Sequence, residues 1–453
     1  MHAVGTAELV ERIWARDATL WTGRDEAKWL GWLDEPQRML ERVGELEQFA
    51  ADTAQFTHVV LLGMGGSSLA PEVLRRSFGG DRLEVLDTTH PAAVQRVAEE
   101  LDLDSTLFLV ASKSGTTLET RCQLDFFWER VGNGEAFVAI TDPGSELEGI
   151  AHERGFLRVF PGEPTIGGRY SALSVFGLVP AALLSVDLTR FLERVEEMAE
   201  ACRLAEGNPG LELGEALGAG WREGRDKVVI NPNPGGFGLW AEQLVAESTG
   251  KQGKGLVPAP GESPQGTDRQ SAEVRIPDPY ELGQEFYRWE FATAVAGSIL
   301  EINPFDQPNV QEAKDRTNDV LSGHDRGQTP VMAGSVEEVL AGAEPPEYVC
   351  IQAFIDPARE GELEPLIARA RQTGCVVTHG LGPRYLHSTG QLHKGGPPTG
   401  RYIQVVDDPG GELPIPGRDF GFGRLIQAQA DGDFAALASR GRPIVRIDPE
   451  GIA

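Results

Sequence analysis

The stretch that most constrains this chain is 107–131, LFLVASKSGTTLETRCQLDFFWERV. An apolar run, Leu107 to Val110, ends in the hydroxyl-rich turn ASKSGTT, and a helical pattern begins at once. Strand, tight loop and helix N-terminus in immediate succession is the repeating unit of parallel α/β sheets. The turn carries one cation, Lys113, and four hydroxyls, Ser112, Ser114, Thr116 and Thr117, while Gly115 lets the backbone bend. The helix start adds unpaired N–H groups and a partial positive charge. Together these make a cradle for a phosphate group. The blander alternative, a turn that only caps a helix, needs a single hydroxyl.

The same alternation extends on both sides. HVVLLG (58–63) reads as a strand running into the glycine loop MGGSS and a helix. Further strands are expected at 82–88 and 136–141, with helices at 92–101 and 147–154. The pattern predicts a parallel sheet covered on both faces, with ligands at the carboxyl ends of its strands, where both glycine loops lie. At 166–184 a glycine turn leads into an apolar helix expected to pack between two lobes, with Arg169 at its entrance.

Residues 1–50 alternate charged and apolar residues at helical spacing and read as a helical lead-in. A second alternation starts with the strand KVVIN (227–231) and the helix 237–248. A Gly/Pro-rich loop (250–266), a short strand (273–276) and helices at 286–300 and within 302–321 come next. Segment 322–346 reads as a linker with a short helix. Strands at 348–355 and 375–378 flank a helix at 363–372, and 402–406 is one more strand. A helix and a strand close the chain. The expected divisions are 1–50 (lead-in), 51–220 (first lobe, phosphate-binding), 221–410 (second lobe) and 411–453 (C-terminal helix and strand).

Charge bears on partners. The 41 basic and 69 acidic residues give a net −28, which argues against nucleic acid or an anionic membrane surface. It also makes a phosphate site more telling, because its positive field must be local. The four cysteines, Cys122, Cys202, Cys350 and Cys375, form no CxxC pair, so neither zinc nor a redox dithiol is expected. No apolar run approaches ~18 residues and the N-terminus lacks a signal peptide's apolar core, which makes the cytoplasm the default compartment.

Four constellations carry candidate chemistry. GMGGSS (63–68), with Asp87 downstream, partly matches a dinucleotide fingerprint, but Ser68 stands where a third Gly is wanted. Close approach of a sugar ring to Gly66 and Ser67 is the preferred reading. In LWAEQLVAESTGK (239–251), Phe237, Trp240, Leu244 and Glu247 share a helical face, and Gln243 lies four before Glu247. Burial and the negative end of the helix dipole would both raise the Glu247 pKa from its reference of ~4.3, which suits a base; the alternative is a solvated Glu neutralised by Lys251. In 302–321, Val310, Lys314, Thr317 and Leu321 share a face, so Lys314 either snorkels or reaches into a site. Finally, YLHSTGQLHKGG (385–396) places His387 and His393 in a donor-rich loop.

At these residues the chain resembles the phosphoglucose isomerase family. VLLGMGGSSLAPE, ASKSGTTLET, GGRYSALS, AEQLVAESTGK and NPFDQPNVQEAK all look like that family's motifs, in order. The opening RIWARDATLWTGRDEAKWLGWLD further resembles the isomerase half of fused transaldolase–phosphoglucose isomerase proteins. With no room here for a transaldolase barrel, the resemblance implies a stand-alone isomerase or a separated half, beside a transaldolase encoded elsewhere. The implied fold is α/β: two sugar-isomerase (SIS) domains, each a parallel sheet sandwiched by helices in three αβα layers, in a homodimer that shares its sites. The implied activity is aldose–ketose isomerisation of glucose 6-phosphate and fructose 6-phosphate, a step of glycolysis and gluconeogenesis, with no metal or organic cofactor.

By the same resemblance, Ser112, Lys113, Ser114 and Thr117 hold the sugar phosphate and Gly66 and Ser67 lie against the sugar. Arg169 offsets the charge of a cis-enediolate, Glu247 is the base, and Gln243 and Gln307 position substrate. Lys314 helps open the sugar ring. The ring-opening histidine is expected to be His387, with His393 second; in common family members it lies between base and lysine, an order this chain does not keep. The rivals are a dual glucose/mannose phosphate isomerase and a non-catalytic sugar-phosphate-binding protein of the same fold.

Overall fold

A computed structural model describes residues 5–308, 321 and 334–452. Most of the helix expected within 302–321, and the first part of segment 322–346, lie outside the described residues. The first sheet has five parallel strands: β1 (His58–Gly63), β2 (Leu83–Leu86), β3 (Thr106–Ala111), β4 (Phe137–Thr141) and β5 (Arg158–Pro161), in the order β2-β1-β3-β4-β5. Apart from His58, every residue of β1, β3 and β4 is buried. Strands covered on both faces have no polar side, which is why they read as unbroken apolar runs. β5 adds to the expected strands: it is a short edge strand, half-exposed, with no such run.

The order matters for function. β1 and β3 are neighbours, and Gly63 pairs with Ala111. Their following helices depart toward opposite ends of the sheet, which opens a crevice at that switch point. Both glycine loops therefore leave the sheet side by side and at one level.

The remaining strands fall in two sheets rather than one. β6 (Lys227–Ile230), β7 (Val257–Pro260) and β8 (Arg269–Ala272) pair in the order β7-β6-β8; β9 (Tyr348–Phe354), β10 (Val376–Leu381), β11 (Gly400–Val406) and β12 (Ile444–Ile447) pair in the order β10-β9-β11-β12. In all three sheets the first strand lies between the second and the third. β7 sits inside the stretch expected to be loop, hidden by Pro258 and Pro260; it takes an outer place in its sheet, where a missing N–H is tolerated. β8 forms just ahead of the expected 273–276. The closing helix Phe422–Ala438 leads into β12, which pairs with β11, so 411–453 is built into the last sheet.

The largest apolar core runs from Leu9 to Phe305 and passes through the expected division at 220/221. Val175–Leu183 is wholly buried within it, as its apolar sequence predicts. Helix Pro209–Arg222 lies tight against Leu282–Ile299: a Cβ on Gly210, Gly214 or Gly218 would fall within 3 Å of Phe291, Val295 or Ile299. Glycine at every fourth position is what permits that contact, and it accounts for part of the chain's high glycine content. No described helix is long and apolar enough to cross a membrane.

Candidate active site

The loop after β1 is where three segments meet. Gly65 adopts φ +55°, and a Cβ there would stand 2.6 Å from the carbonyl oxygen of His387. A Cβ on Gly66 would stand 2.0 Å from the carbonyl oxygen of Gly168, in the short turn Gly168–Tyr170 that carries Arg169. Small residues here admit neighbouring backbone as well as any ligand. The dinucleotide alternative loses its acid: buried Asp87 accepts two bonds, each 2.7 Å, from Arg384.

A cavity of about 490 Å³ opens over the paired loops. Ser67 and Gly66 form one wall, and Ser114, Thr117 and Lys113 another. Thr117 is the N-cap of helix Leu118–Val131, yet its side chain makes no capping bond; its hydroxyl lies 3.0 Å from that of Ser112. The turn is therefore not used merely as a cap. Ser112 is buried behind Thr117 and does not line the cavity. Gly115, at φ +70°, is required because a Cβ would meet the backbone nitrogen of Leu147 at 2.7 Å. Lys113 lines the cavity with its ammonium already engaged, by Asp142 at 2.7 and 2.5 Å and by the Glu163 carbonyl at 2.9 Å.

The opposite wall comes from helix Gly238–Thr249. Glu247 is 8% exposed, on the buried stripe that its spacing predicts, and not a solvated residue at a frayed end. Nor is Lys251 its counter-ion. The Lys251 amine is buried and donates to the carbonyls of Asn303 (2.7 Å) and Asp306 (2.5 Å) and to the Asp306 carboxylate (2.6 Å). Burial, with the nearby Arg169 charge, pushes its pKa down to about 8. Glu247's cationic partner is Arg169, whose guanidinium stands 3.3 Å from the carboxylate.

Arg169 is itself fully committed, donating to Ser248 (2.8 Å), Gln307 (3.0 Å), Pro304 O (2.7 Å) and Asp306 O (3.0 Å). It thereby draws the 302–308 segment and Gln307 into the cavity wall. Gln243 donates to Glu247 (3.0 Å) and to the backbone carbonyl of His387 (2.8 Å). Lys314 lies outside the described residues.

The two histidines separate cleanly. His387 lines the cavity, and its Nε2 is 2.8 Å from the Glu119 carboxylate. His393 does not line it. That ring is buried against Cys350 and Gln352, and burial pushes its pKa down to about 3.

Three participants escaped sequence reasoning. Glu119 stands one residue past the hydroxyl turn's helix start, inside ASKSGTTLET, but only the fold shows that it faces a histidine 268 residues away. Asp142, at the end of β4, reaches the cavity through Lys113. Lys28, from the lead-in, also lines the cavity, beside Trp29. Unlike Lys113 and Arg169, it has no carboxylate at ion-pair distance among the described residues.

Residues 31–206 match the model of one protein family, described as phosphoglucose isomerase. The chain is similar to the glucose-6-phosphate isomerase of Gloeothece citriformis, 34% identical over 270 residues, covering 50% of each chain. It is also similar to that of Geobacter sp. (strain M21), 35% identical over 226 residues, covering 45% of this chain and 42% of the other. The chain spans about half the length of the curated relatives it matches. Among solved structures, a glucose-6-phosphate isomerase from Chlamydia trachomatis shares the fold, with a TM-score of 0.58 at 19% identity over 71% of this chain and 85% of that one. A hypothetical protein from Thermus thermophilus aligns over 98% of this chain and 83% of its own, with a TM-score of 0.50 at 20% identity.

Proposed function

We propose that the chain is an aldose–ketose isomerase that interconverts glucose 6-phosphate and fructose 6-phosphate. The observation that carries this reading is that Glu247, a buried carboxylate, faces the same cavity as the hydroxyl loop Ser114–Thr117. A phosphate held at that loop by Ser114, Thr117 and the helix N-terminus directs the carbon chain across the cavity toward Glu247.

Ring opening comes first. The unprotonated ring nitrogen of His387 takes the C1 hydroxyl proton and delivers it to the ring oxygen as the C1–O bond of the cyclic sugar breaks, leaving the C1 aldehyde. Nε2 is turned to Glu119, and Nδ1 has no hydrogen-bond partner among the described residues, so Nδ1 is the atom that handles this proton. Glu247 then removes the proton from C2, and the electron pair moves to form a cis-enediolate. The O2 proton passes to O1, and Glu247 returns its proton to C1, completing the exchange of aldehyde for ketone. Arg169 stands where negative charge develops on the enediolate oxygens, the place where fixed positive charge contributes most. Its bonds to four other groups hold it there without reorganisation.

The resemblance also implies a homodimer and a separately encoded transaldolase. A non-catalytic sugar-phosphate binder would have no use for the Glu247–Arg169 pair. The test is an isomerase assay with glucose 6-phosphate and with mannose 6-phosphate, followed from either side. Turnover of the first alone is expected. Turnover of both would establish the dual activity, and binding without turnover would overturn the proposal.

A further inference from the structure

The carboxylate that meets His387 is held from a side the mechanism does not use. Glu119 Oε1 accepts from His387 Nε2 at 2.8 Å and from Gln429 Nε2 at 2.8 Å. Gln429 lies on the closing helix Phe422–Ala438, 310 residues from Glu119. Its own oxygen accepts from the hydroxyl of Thr89 at 2.7 Å. Thr89 and Gln429 are both buried, so water does not compete for these bonds. The loop carrying Thr89 is in turn fixed by Gln123, one helical turn after Glu119, which donates to Leu86 O (3.1 Å) and Thr88 O (2.9 Å).

The polarity of this chain of bonds is determined by its chemistry. A carboxylate only accepts, so the Gln429 amide nitrogen must face Glu119 and its oxygen must face Thr89. Turning the amide over would place two acceptor oxygens in contact in a dry interior. The Glu119 carboxylate thus sets the sense of the amide, and the Thr89 hydroxyl, which can donate or accept, satisfies the amide oxygen that this sense turns toward it. With Glu119 fixed as an acceptor, the His387 nitrogen that faces it must carry the hydrogen.

We propose that Gln429, anchored through its amide oxygen by Thr89, is a positioning residue that holds Glu119 against His387 and so determines which ring nitrogen of His387 is presented to substrate. As a contribution to ring opening this rests on the isomerase reading above; as a statement about the histidine tautomer it does not. Residues of the C-terminal helix thus set the protonation geometry of a site built on the first sheet.

The test uses the full chain and two independent variants, Gln429→Leu and Thr89→Val, with Thr89→Ser as the conservative control. Nitrogen-15 spectra of the histidine rings at pH 8 should show His387 as the single Nε2–H tautomer in the wild type and in Thr89→Ser. In Gln429→Leu and Thr89→Val both tautomers should be populated. With glucose 6-phosphate, kcat should fall about tenfold in both, a fraction of the 10²–10⁴ that a positioned acid–base group contributes, while KM stays within about twofold. An unchanged tautomer in either folded variant overturns the proposal. A tautomer that depends on Gln429 in a wild-type protein without isomerase activity supports the relay while removing the isomerase reading. If Gln429→Leu does not fold, Thr89→Val alone carries both measurements.

Discussion

The guanidinium of Arg169 stands 3.3 Å from the carboxylate of Glu247. The two residues come from different elements, one from the turn Gly168–Tyr170 and the other from the last turn of Gly238–Thr249. Spacing alone places Glu247 at the unfavourable end of its helix dipole. The tertiary structure answers that field with a fixed cation, which under the proposed function offsets the enediolate charge.

Replacing Glu247 with Gln keeps the side chain's size and its contact with Gln243 but removes the base. The kcat for glucose 6-phosphate is expected to fall at least ~10³-fold, within the range for losing an acid–base group. Titration calorimetry should show a non-isomerisable sugar phosphate still binding within about threefold. A variant with near-full turnover would exclude Glu247 as the base.

The anion-binding wall predicts a KM effect. With Lys113 tied to Asp142, the hydroxyls and Lys28 are left to meet the phosphate. Ser114→Ala combined with Thr117→Ala should raise KM about 30-fold with kcat nearly unchanged, each lost charge-assisted bond being worth ~1 kcal/mol. Lys28→Met should raise KM about threefold, and that difference should shrink at about 0.5 M salt, because an exposed charge is screened.

Gly66→Ala tests the meeting of the loops. The added methyl would lie 2.0 Å from the Gly168 carbonyl oxygen, so the Arg169 turn must retreat. A displacement on the order of 1 Å should cost about 100-fold in kcat/KM. Far-ultraviolet circular dichroism should remain that of the wild type. Gly149→Ala, where a Cβ meets nothing within 4 Å, is the matched control and should leave kcat/KM unchanged.

His393 predicts acid sensitivity. Its ring stays neutral in the folded chain until about pH 3, whereas the unfolded chain takes up a proton near pH 6.5. Between these values the unfolded state binds more protons, so stability falls as pH drops through that window. At about pH 4.5 this residue alone should cost about 2–3 kcal/mol relative to pH 7. Urea titrations across pH should show a shallower acid loss in His393→Gln than in the wild type.

Periodicity and loop composition suffice for the strands that carry the two loops: β1 spans the expected 58–63, and the hydroxyl turn and glycine loop stand at the carboxyl ends of adjacent strands. Strand and helix are local consequences of apolar spacing, and a loop's ability to take a sharp turn is a property of its own glycines. Glu247's burial is legible for the same reason, since it follows from helical geometry. The strands that sequence misses, β5 and β7, are those whose stability comes from a neighbouring strand and not from their own apolar run.

The pairings are another matter. That Lys113 answers Asp142, Lys251 answers Asp306, His387 answers Glu119 and Gln429 completes that contact was decided by how the elements of the fold pack. A hydrogen bond requires two groups within about 3 Å, and between residues 29 to 310 positions apart only the tertiary arrangement supplies that distance. The sequence by itself determined which chemistries this chain can carry. The packing of its lobes decided which side chains share a cavity, and so which of two candidate histidines faces it.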